Sequence, residues 1–285
     1  MSRSKFRAWR WMGGKLSLFD GTIPLVDRGF RYGQHVFESI AIREGRALLV
    51  EEHLKLLDEA AKRQQLSFSR DLAAALRLFS DKLNLADGML RIYLTAGPGL
   101  PGESVRQSPC YVTWDPLRFP TPGDLRRGYA LHSLELPVNR TTWGEKWGNY
   151  ADHLHALQVA KSVGADEAVV VDPKKRVLSC AMGNLLVWLK SSKKKGAPVL
   201  CTPCASSGAR RGVLLAWVCG QTPVEERELK ILDLRGALAL AITNSRLGVM
   251  PVALLDGKKL PDFNLPLSLA REYLRFASKS GQTMK

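Results

Sequence analysis

Glu145-Lys146-Trp147-Gly148-Asn149-Tyr150 runs directly into Ala151-Asp-His-Leu-His-Ala-Leu-Gln-Val-Ala-Lys-Ser-Val163. Gly164-Ala-Asp-Glu-Ala-Val-Val-Val-Asp172 comes next. The middle run has neither Gly nor Pro and reads as a helix from about Tyr150 to Val163. The apolar run after it reads as a strand over Glu167–Asp172. An amine at Lys146 and a phenol at Tyr150 therefore stand just ahead of a helix that leads into a buried strand.

Outward from this stretch, short strands and helices alternate irregularly. Downstream, strands are expected at 177–180, 185–189, 241–243 and 252–255. Helices are expected at 212–219, 233–239 and 266–276, with an extended segment at 224–229. Upstream, Pro116, Pro120, Pro122 and Gly123 mark a boundary, because proline fixes φ and disfavours helix before it. Before that boundary, Ala8–Leu18 reads as a strand. Val36–Ile42 and Ala47–Val50 flank a Glu44-Gly45-Arg46 hairpin turn. Glu51–Gln65 has helical periodicity through Leu54, Leu57 and Ala61, and Leu72–Leu85 reads as a second helix. Strands at 89–95 and 110–114 close this part. Hairpins mixed with helices, and no strict βαβ repeat, indicate α+β rather than a doubly wound sheet. The expected domains are 1–119 and 129–285, joined by a linker at 120–128, with Lys146 in the second.

The chain has 285 residues, enough for two domains, with 45% hydrophobic and 24% charged residues. No apolar run approaches the roughly 20 residues a membrane helix needs. The basic start lacks the apolar core of a secretory signal. Five cysteines, Cys110, Cys180, Cys201, Cys204 and Cys219, are an odd count that points to free thiols in a reducing cytoplasm. Cys201-Thr-Pro-Cys204 has no second pair and no nearby histidine, so no metal site is expected. A net charge of +15 attracts anions. The basic residues are scattered, and the Lys190–Lys195 run reads as a solvated hairpin turn, so nucleic acid is not the expected partner.

Five stretches, taken in order, resemble the class-IV aminotransferases, the fold-type IV enzymes that use pyridoxal 5′-phosphate (PLP). They are Asp27-Arg-Gly-Phe-Arg-Tyr32-Gly33-Gln-His-Val36-Phe37-Glu38, then His53-Leu-Lys-Leu-Leu57, then Gly97-Pro-Gly99-Leu-Pro-Gly102. The fourth runs from Lys146 through Asp166-Glu-Ala168 and Ser179-Cys-Ala-Met-Gly-Asn184. The fifth combines Thr202-Pro203, Gly212-Val213-Leu214 and Thr243-Asn244-Ser245. The resemblance covers nearly the whole chain. It implies a two-domain α+β architecture of the D-amino-acid aminotransferase type and a homodimer. Lys146 is then the Schiff-base lysine and the base that moves the Cα proton. Tyr150 lies near the cofactor's phenolic oxygen, and Tyr32 and Phe37 line the substrate pocket. Backbone N–H groups of Gly212, Val213 and Leu214 open a helix and bind phosphate, with Asn244 and Ser245 as further donors. Asn184 is as compatible with a structural role as with a functional one.

Three positions depart from the family pattern. Ser179 stands where most relatives carry a glutamate facing the pyridine nitrogen. Leu56 replaces the phosphate-binding arginine of the His-Leu-x-Arg-Leu helix, and Leu214 replaces a threonine. Losing a charge-assisted contact costs roughly 1.5–3 kcal/mol, so weak cofactor binding is expected. Two activities compete: transamination of an amino acid, and a lyase reaction of the aminodeoxychorismate type on an amino-dicarboxylate. The Gly97–Gly102 loop, a neutral group at Ser179 and the excess positive charge lean toward the lyase. A relative that has lost PLP and serves as a binding or scaffold protein is the alternative.

Overall fold

The computed structural model describes residues 6–12, 14–81, 86–191, 193 and 196–279. The chain forms two compact units. The first comprises Met1–Phe119, Lys146–Tyr150 and Ala277–Lys285; the second comprises Pro120–Glu145 and Ala151–Phe276.

The first unit holds a six-stranded antiparallel sheet. Its strands are β1 (Arg7–Met12), β2 (Lys15–Leu18), β3 (His35–Arg43), β4 (Arg46–Ala47), β5 (Gly88–Thr95) and β6 (Cys110–Pro116), in the order β2-β1-β6-β5-β3-β4. Three helices accompany it: α1 (Arg28–Tyr32), α2 (Val50–Arg63) and α3 (Arg70–Asp81). Side chains alternate across a strand, so Val36, Ile40 and Ile42 of β3 face the core. There they join Leu54, Leu57 and Ala61 of α2, Leu72 and Leu76 of α3, and Leu90, Ile92 and Leu94 of β5. Each such side chain contributes about 1.5–3 kcal/mol on burial, which fixes α2 against β3.

The expected single strand over Ala8–Leu18 is instead a hairpin of β1 and β2, with Met12 opposite Lys15. Gly14 supplies positive φ at the turn, where an alternating pattern alone hides the reversal. The second expected helix is α3; residues 82–85 of the expected span lie outside the described residues.

The segment Lys146–Tyr150 belongs to the first unit, although the sequence reading placed Lys146 in the second domain. Its backbone is the reason. Phe37 N–H donates to Lys146 O at 3.0 Å, Gly148 N–H donates to His35 O at 3.0 Å, and Trp147 bridges Val36 as a short antiparallel neighbour of β3. Trp147 also packs against the first core. Gly148 is required there, since a Cβ would overlap Gly33 O and the His35 ring.

The expected linker at 120–128 is ordered as α4 (Pro122–Arg127). Thr121 and Asp124 form a reciprocal capping box at its N-terminus. The remaining helices are α5 (Arg140–Trp143), α6 (Ala151–Ser162), α7 (Val213–Gln221), α8 (Ile231–Arg235) and α9 (Asn264–Lys279). The second unit's nine strands are β7 (Tyr129–Glu135), β8 (Glu167–Val171), β9 (Val177–Cys180), β10 (Asn184–Leu189), β11 (Val199–Pro203), β12 (Glu225–Arg227), β13 (Ala239–Asn244), β14 (Gly248–Leu255) and β15 (Lys258–Lys259). Eight lie in the order β12-β11-β10-β13-β14-β7-β8-β9, with β15 beside β14. The sheet is mixed: β7 runs parallel to both β8 and β14, and α6 makes the crossover from β7 to β8. Every residue of β8 is buried, which explains its unbroken apolar run.

The helix expected at 233–239 is shorter and earlier, because Ala239–Asn244 is the strand β13, paired antiparallel to β10 from Ala239 opposite Trp188 to Thr243 opposite Asn184. No helix among the described residues is long and apolar enough to cross a membrane.

Candidate active site

Lys146 leaves the edge of β3 with its side chain 19% exposed, and its Nζ lies 3.3 Å from Glu38 Oε2. The Lys146 ammonium also sits 5.5 Å from the centre of the Phe37 ring. Phe37 makes an edge contact with Tyr150 at 5.1 Å and stacks on Tyr93 at 6.0 Å. One reachable amine is thus held between a buried carboxylate and an aromatic wall, all within the first unit.

Glu38 is only 2% exposed, as is His53 of α2, whose Nδ1 lies 2.8 Å from the same Oε2. Neither residue was assigned a role from the sequence. The available signal was the register of β3, in which Val36, Glu38, Ile40 and Ile42 are buried. A carboxylate among inward-facing apolar residues is costly unless paired.

Tyr32 ends α1, is 49% exposed, and carries the Arg31 guanidinium over its ring at 5.0 Å. Asp27 caps α1, accepting from Gly29 N at 2.7 Å and from Thr95 Oγ1 at 2.8 Å. Buried Arg28 donates to Ala96 O, Gly97 O and Glu103 O, tying α1 to the glycine-rich loop after β5.

In the second unit, Gly212 is the N-cap of α7 and offers no side-chain cap. The first intrahelical bond there runs from Ala216 N to Gly212 O, so the N–H groups of Val213, Leu214 and Leu215 have no acceptor within the helix. A Cβ at Gly212 would stand 2.5 Å from Asn184 Oδ1, so glycine keeps this helix start open. Asn184 Nδ2 donates to Arg210 O, which fixes the loop entering α7. The Leu214 side chain is buried; only its backbone faces the helix start. Leu56 is half-buried on α2.

Asn244 ends β13, at the turn into β14. Its Oδ1 accepts from Leu247 N at 2.8 Å and its Nδ2 donates to Met182 O at 3.0 Å. Ser245 follows in the same turn, half-buried. Ser179 is buried; its Oγ accepts from Trp143 Nε1 at 2.8 Å and donates to Cys180 O at 2.8 Å. Trp143, which the sequence reading did not single out, stacks on His153 at 3.9 Å. The His153 ring nitrogens face Ala181 O at 2.7 Å and Trp143 O at 3.0 Å. Burial lowers the His153 pKa, with the two carbonyls pulling the other way. Burial also pushes the Glu167 carboxyl up to about 7, against hydrogen bonds from the Ala168 and Met182 backbone.

The cysteines are all free thiols. Burial raises Cys201, whereas hydrogen bonds with Ser206 and Ser207 outweigh burial at Cys204 and lower it. Among the described residues, no three His, Cys, Asp or Glu side chains cluster as metal ligands.

A family model described as amino-transferase class IV matches residues 35–255. Curated relatives include a putative branched-chain-amino-acid aminotransferase of Methanocaldococcus jannaschii, 27% identical over 247 residues and 84% of each chain. An aminodeoxychorismate lyase of Vibrio harveyi is 26% identical over 81% of this chain and 86% of its own length. Among solved structures, a fold IV-transaminase from Curtobacterium pusillum superposes with a TM-score of 0.78 at 22% identity, over 96% of this chain and 99% of that one. A hypothetical aminotransferase from Mycobacterium tuberculosis in its PLP-bound form gives 0.75 at 23% identity, over 97% and 100%. These last two likenesses establish a fold-type IV architecture.

Proposed function

The chain belongs to the class-IV aminotransferase family, and from that premise we propose that it is a PLP-dependent enzyme acting on a small amino-acid or amino-dicarboxylate substrate, with Lys146 as the attachment point. The observation that carries the reading is the Lys146 amine, partly exposed and held by Glu38 beside Phe37 and Tyr150. Taken unit by unit, the donors are of kinds the cofactor takes: the Lys146 amine in the first, and in the second the N–H groups at the start of α7, which have no acceptor within the helix and are kept open by Gly212.

PLP supplies an aldehyde that condenses with amines and a ring that draws electrons from the substrate's Cα. The residues of this chain do the rest. Lys146 would hold the cofactor through its amine and, when free, would hold or return the proton at the substrate's Cα. Val213, Leu214 and Leu215 would hold a phosphate through backbone N–H groups. Phe37 and Tyr150 form an aromatic wall on one side of Lys146. Leu56 contributes no charge, so PLP affinity rests on the α7 donors and Lys146.

Lyase chemistry of the aminodeoxychorismate type is the favoured activity over transamination. Its support is Ser179: a hydroxyl cannot act as the counter-ion that keeps a pyridine nitrogen protonated. Mixing the purified protein with PLP and recording its visible spectrum tests the reading. A yellow band is expected; a protein that stays colourless overturns it.

Ser179→Glu tests the finer assignment. If Ser179 faces the ring nitrogen, the carboxylate speeds transamination half-reactions and lowers elimination. If Ser179 serves only to hold Trp143, the buried carboxylate destabilises the fold by about 1–3 kcal/mol and leaves the product ratio unchanged. Measuring both products and the melting temperature separates the two.

We further propose a homodimer. Leu18, Ile23, Leu25, Val26, Phe30 and Leu100 of the first unit are exposed, and apolar surface of that extent favours a partner. An obligate interface buries roughly 2,000 Å² or more. Sedimentation at micromolar concentration is expected to give a dimer, and a monomer at that concentration would count against it.

A further inference from the structure

Three groups with polar chemistry meet at one oxygen in the first unit. Glu38 Oε2 receives His53 Nδ1 at 2.8 Å, Lys146 Nζ at 3.3 Å and Ser39 N at 3.4 Å. Glu38 comes from β3, His53 from α2 and Lys146 from the segment beside β3. The carboxylate and imidazole are almost fully buried, whereas the lysine reaches solvent. A buried carboxylate is tolerated only where donors surround it, and its placement holds one cation, the amine on which the proposed chemistry depends.

An ammonium has no lone pair. Lys146 must shed a proton before its nitrogen bonds an aldehyde or takes a proton from carbon. An acceptor already in contact with it is Glu38 Oε2. We propose that Glu38 is the counter-ion and proton acceptor of Lys146, with His53 as the positioning residue that keeps Oε2 aimed at Nζ. The inference rests on the reading of Lys146 given above and adds two residues to it. The step is balanced. One N–H bond of the ammonium breaks and its electron pair stays on nitrogen. One O–H bond forms on Glu38, and an ion pair becomes a neutral amine and carboxylic acid. Reversal returns the proton when Lys146 is released. His53 donates from Nδ1 throughout, which stops the carboxylate from turning into the core. His53 from α2 and Lys146 are ionisable groups that face the carboxylate; the Tyr150 ring makes an edge contact with Phe37.

The test uses the full-length protein without PLP. Lys146 is trinitrophenylated with trinitrobenzenesulfonate at pH 7.5, its neutral amine displacing sulfite from the ring, and its rate is read from the peptide that carries it by mass spectrometry. Glu38→Gln keeps the shape and removes the charge. An opposite charge this close moves an equilibrium by 1–3 pH units, so Lys146 in Glu38→Gln is expected to react about tenfold faster or more. Glu38→Asp keeps the charge but draws it back by one methylene, and an increase of about threefold is expected. A Glu38→Gln protein that is folded by circular dichroism and reacts at the native rate overturns the proposal. If Glu38→Gln does not fold, Glu38→Asp decides: a threefold gain supports the proposal and the native rate overturns it. Adding PLP to the native protein separates this result from the broader one. No colour with an altered trinitrophenylation rate removes the cofactor reading and leaves the Glu38–Lys146 pair standing. Colour with an unaltered rate does the reverse.

Discussion

Lys146→Ala is expected to abolish the visible band formed with PLP and to lower turnover by about 10²–10⁴-fold or more, the range associated with removing a positioned acid–base group. Two effects combine. Covalent attachment through Lys146 is lost, and the proton at the substrate's carbon loses the base proposed for it. The variant also leaves the Glu38 carboxylate, buried beside His53, without its lysine. Breaking a fully buried pair costs about 3–5 kcal/mol. Lys146 is partly exposed, so the loss here lies at the low end of that range or below it. Lys146→Arg separates the two effects. It restores a cation for Glu38 and recovers the melting temperature, but a guanidinium does not condense with an aldehyde at neutral pH. Both variants colourless, with only the alanine destabilised, is the expected pattern. An alanine variant that still turns yellow and turns over would remove Lys146 from the site.

The second large effect concerns pH. Glu167 opens β8, is 3% exposed, and burial pushes its carboxyl up to about 7 from an ordinary value near 4.5. Between those values the folded state keeps a proton that the unfolded chain has released. Folding stability therefore falls as pH rises, from full below about 4.5 to its reduced level above about 7. A difference of this size corresponds to about 3 kcal/mol. Glu167→Gln removes the titration. Its amide oxygen still accepts the Ala168 N–H, while its NH₂ group needs a new acceptor, at a cost of about 1 kcal/mol. The variant is expected to be about 2 kcal/mol more stable than the native protein at pH 8 and no more stable at pH 4.5. Urea unfolding at both values measures this. A native protein whose stability does not change between pH 5 and 8 shows that Glu167 is not held protonated.

Much of the architecture was legible because local pattern and tertiary packing agree. β3, β5, β6, α2 and α6 fall close to where alternation, helical periodicity and turn residues place them. The failures have separate causes. β1 and β2 read as one strand because both halves alternate and the reversal is carried by glycine. Of the span 233–239 read as helix, α8 keeps only the part up to Arg235, and Ala239 opens β13, which is fixed by partners on both sides, β10 and β14. Propensity yields to pairing where a strand lies inside a sheet.

The candidate site divides in the same way. Lys146, Phe37 and Tyr150 are named by their order in the chain, and so is the glycine that opens α7. By itself the sequence determined the residue types, their order and the likeness to a family, since these are properties of a linear string. Only the tertiary structure decided which groups share an atom. His53 and Lys146 lie 15 and 108 residues along the chain from the Glu38 carboxylate, and Trp143 reaches Ser179 across 36. Contacts at such separations are set by how a strand's inward register meets a helix face. The short-range energies that a sequence displays do not encode that meeting; burial of the core around it does.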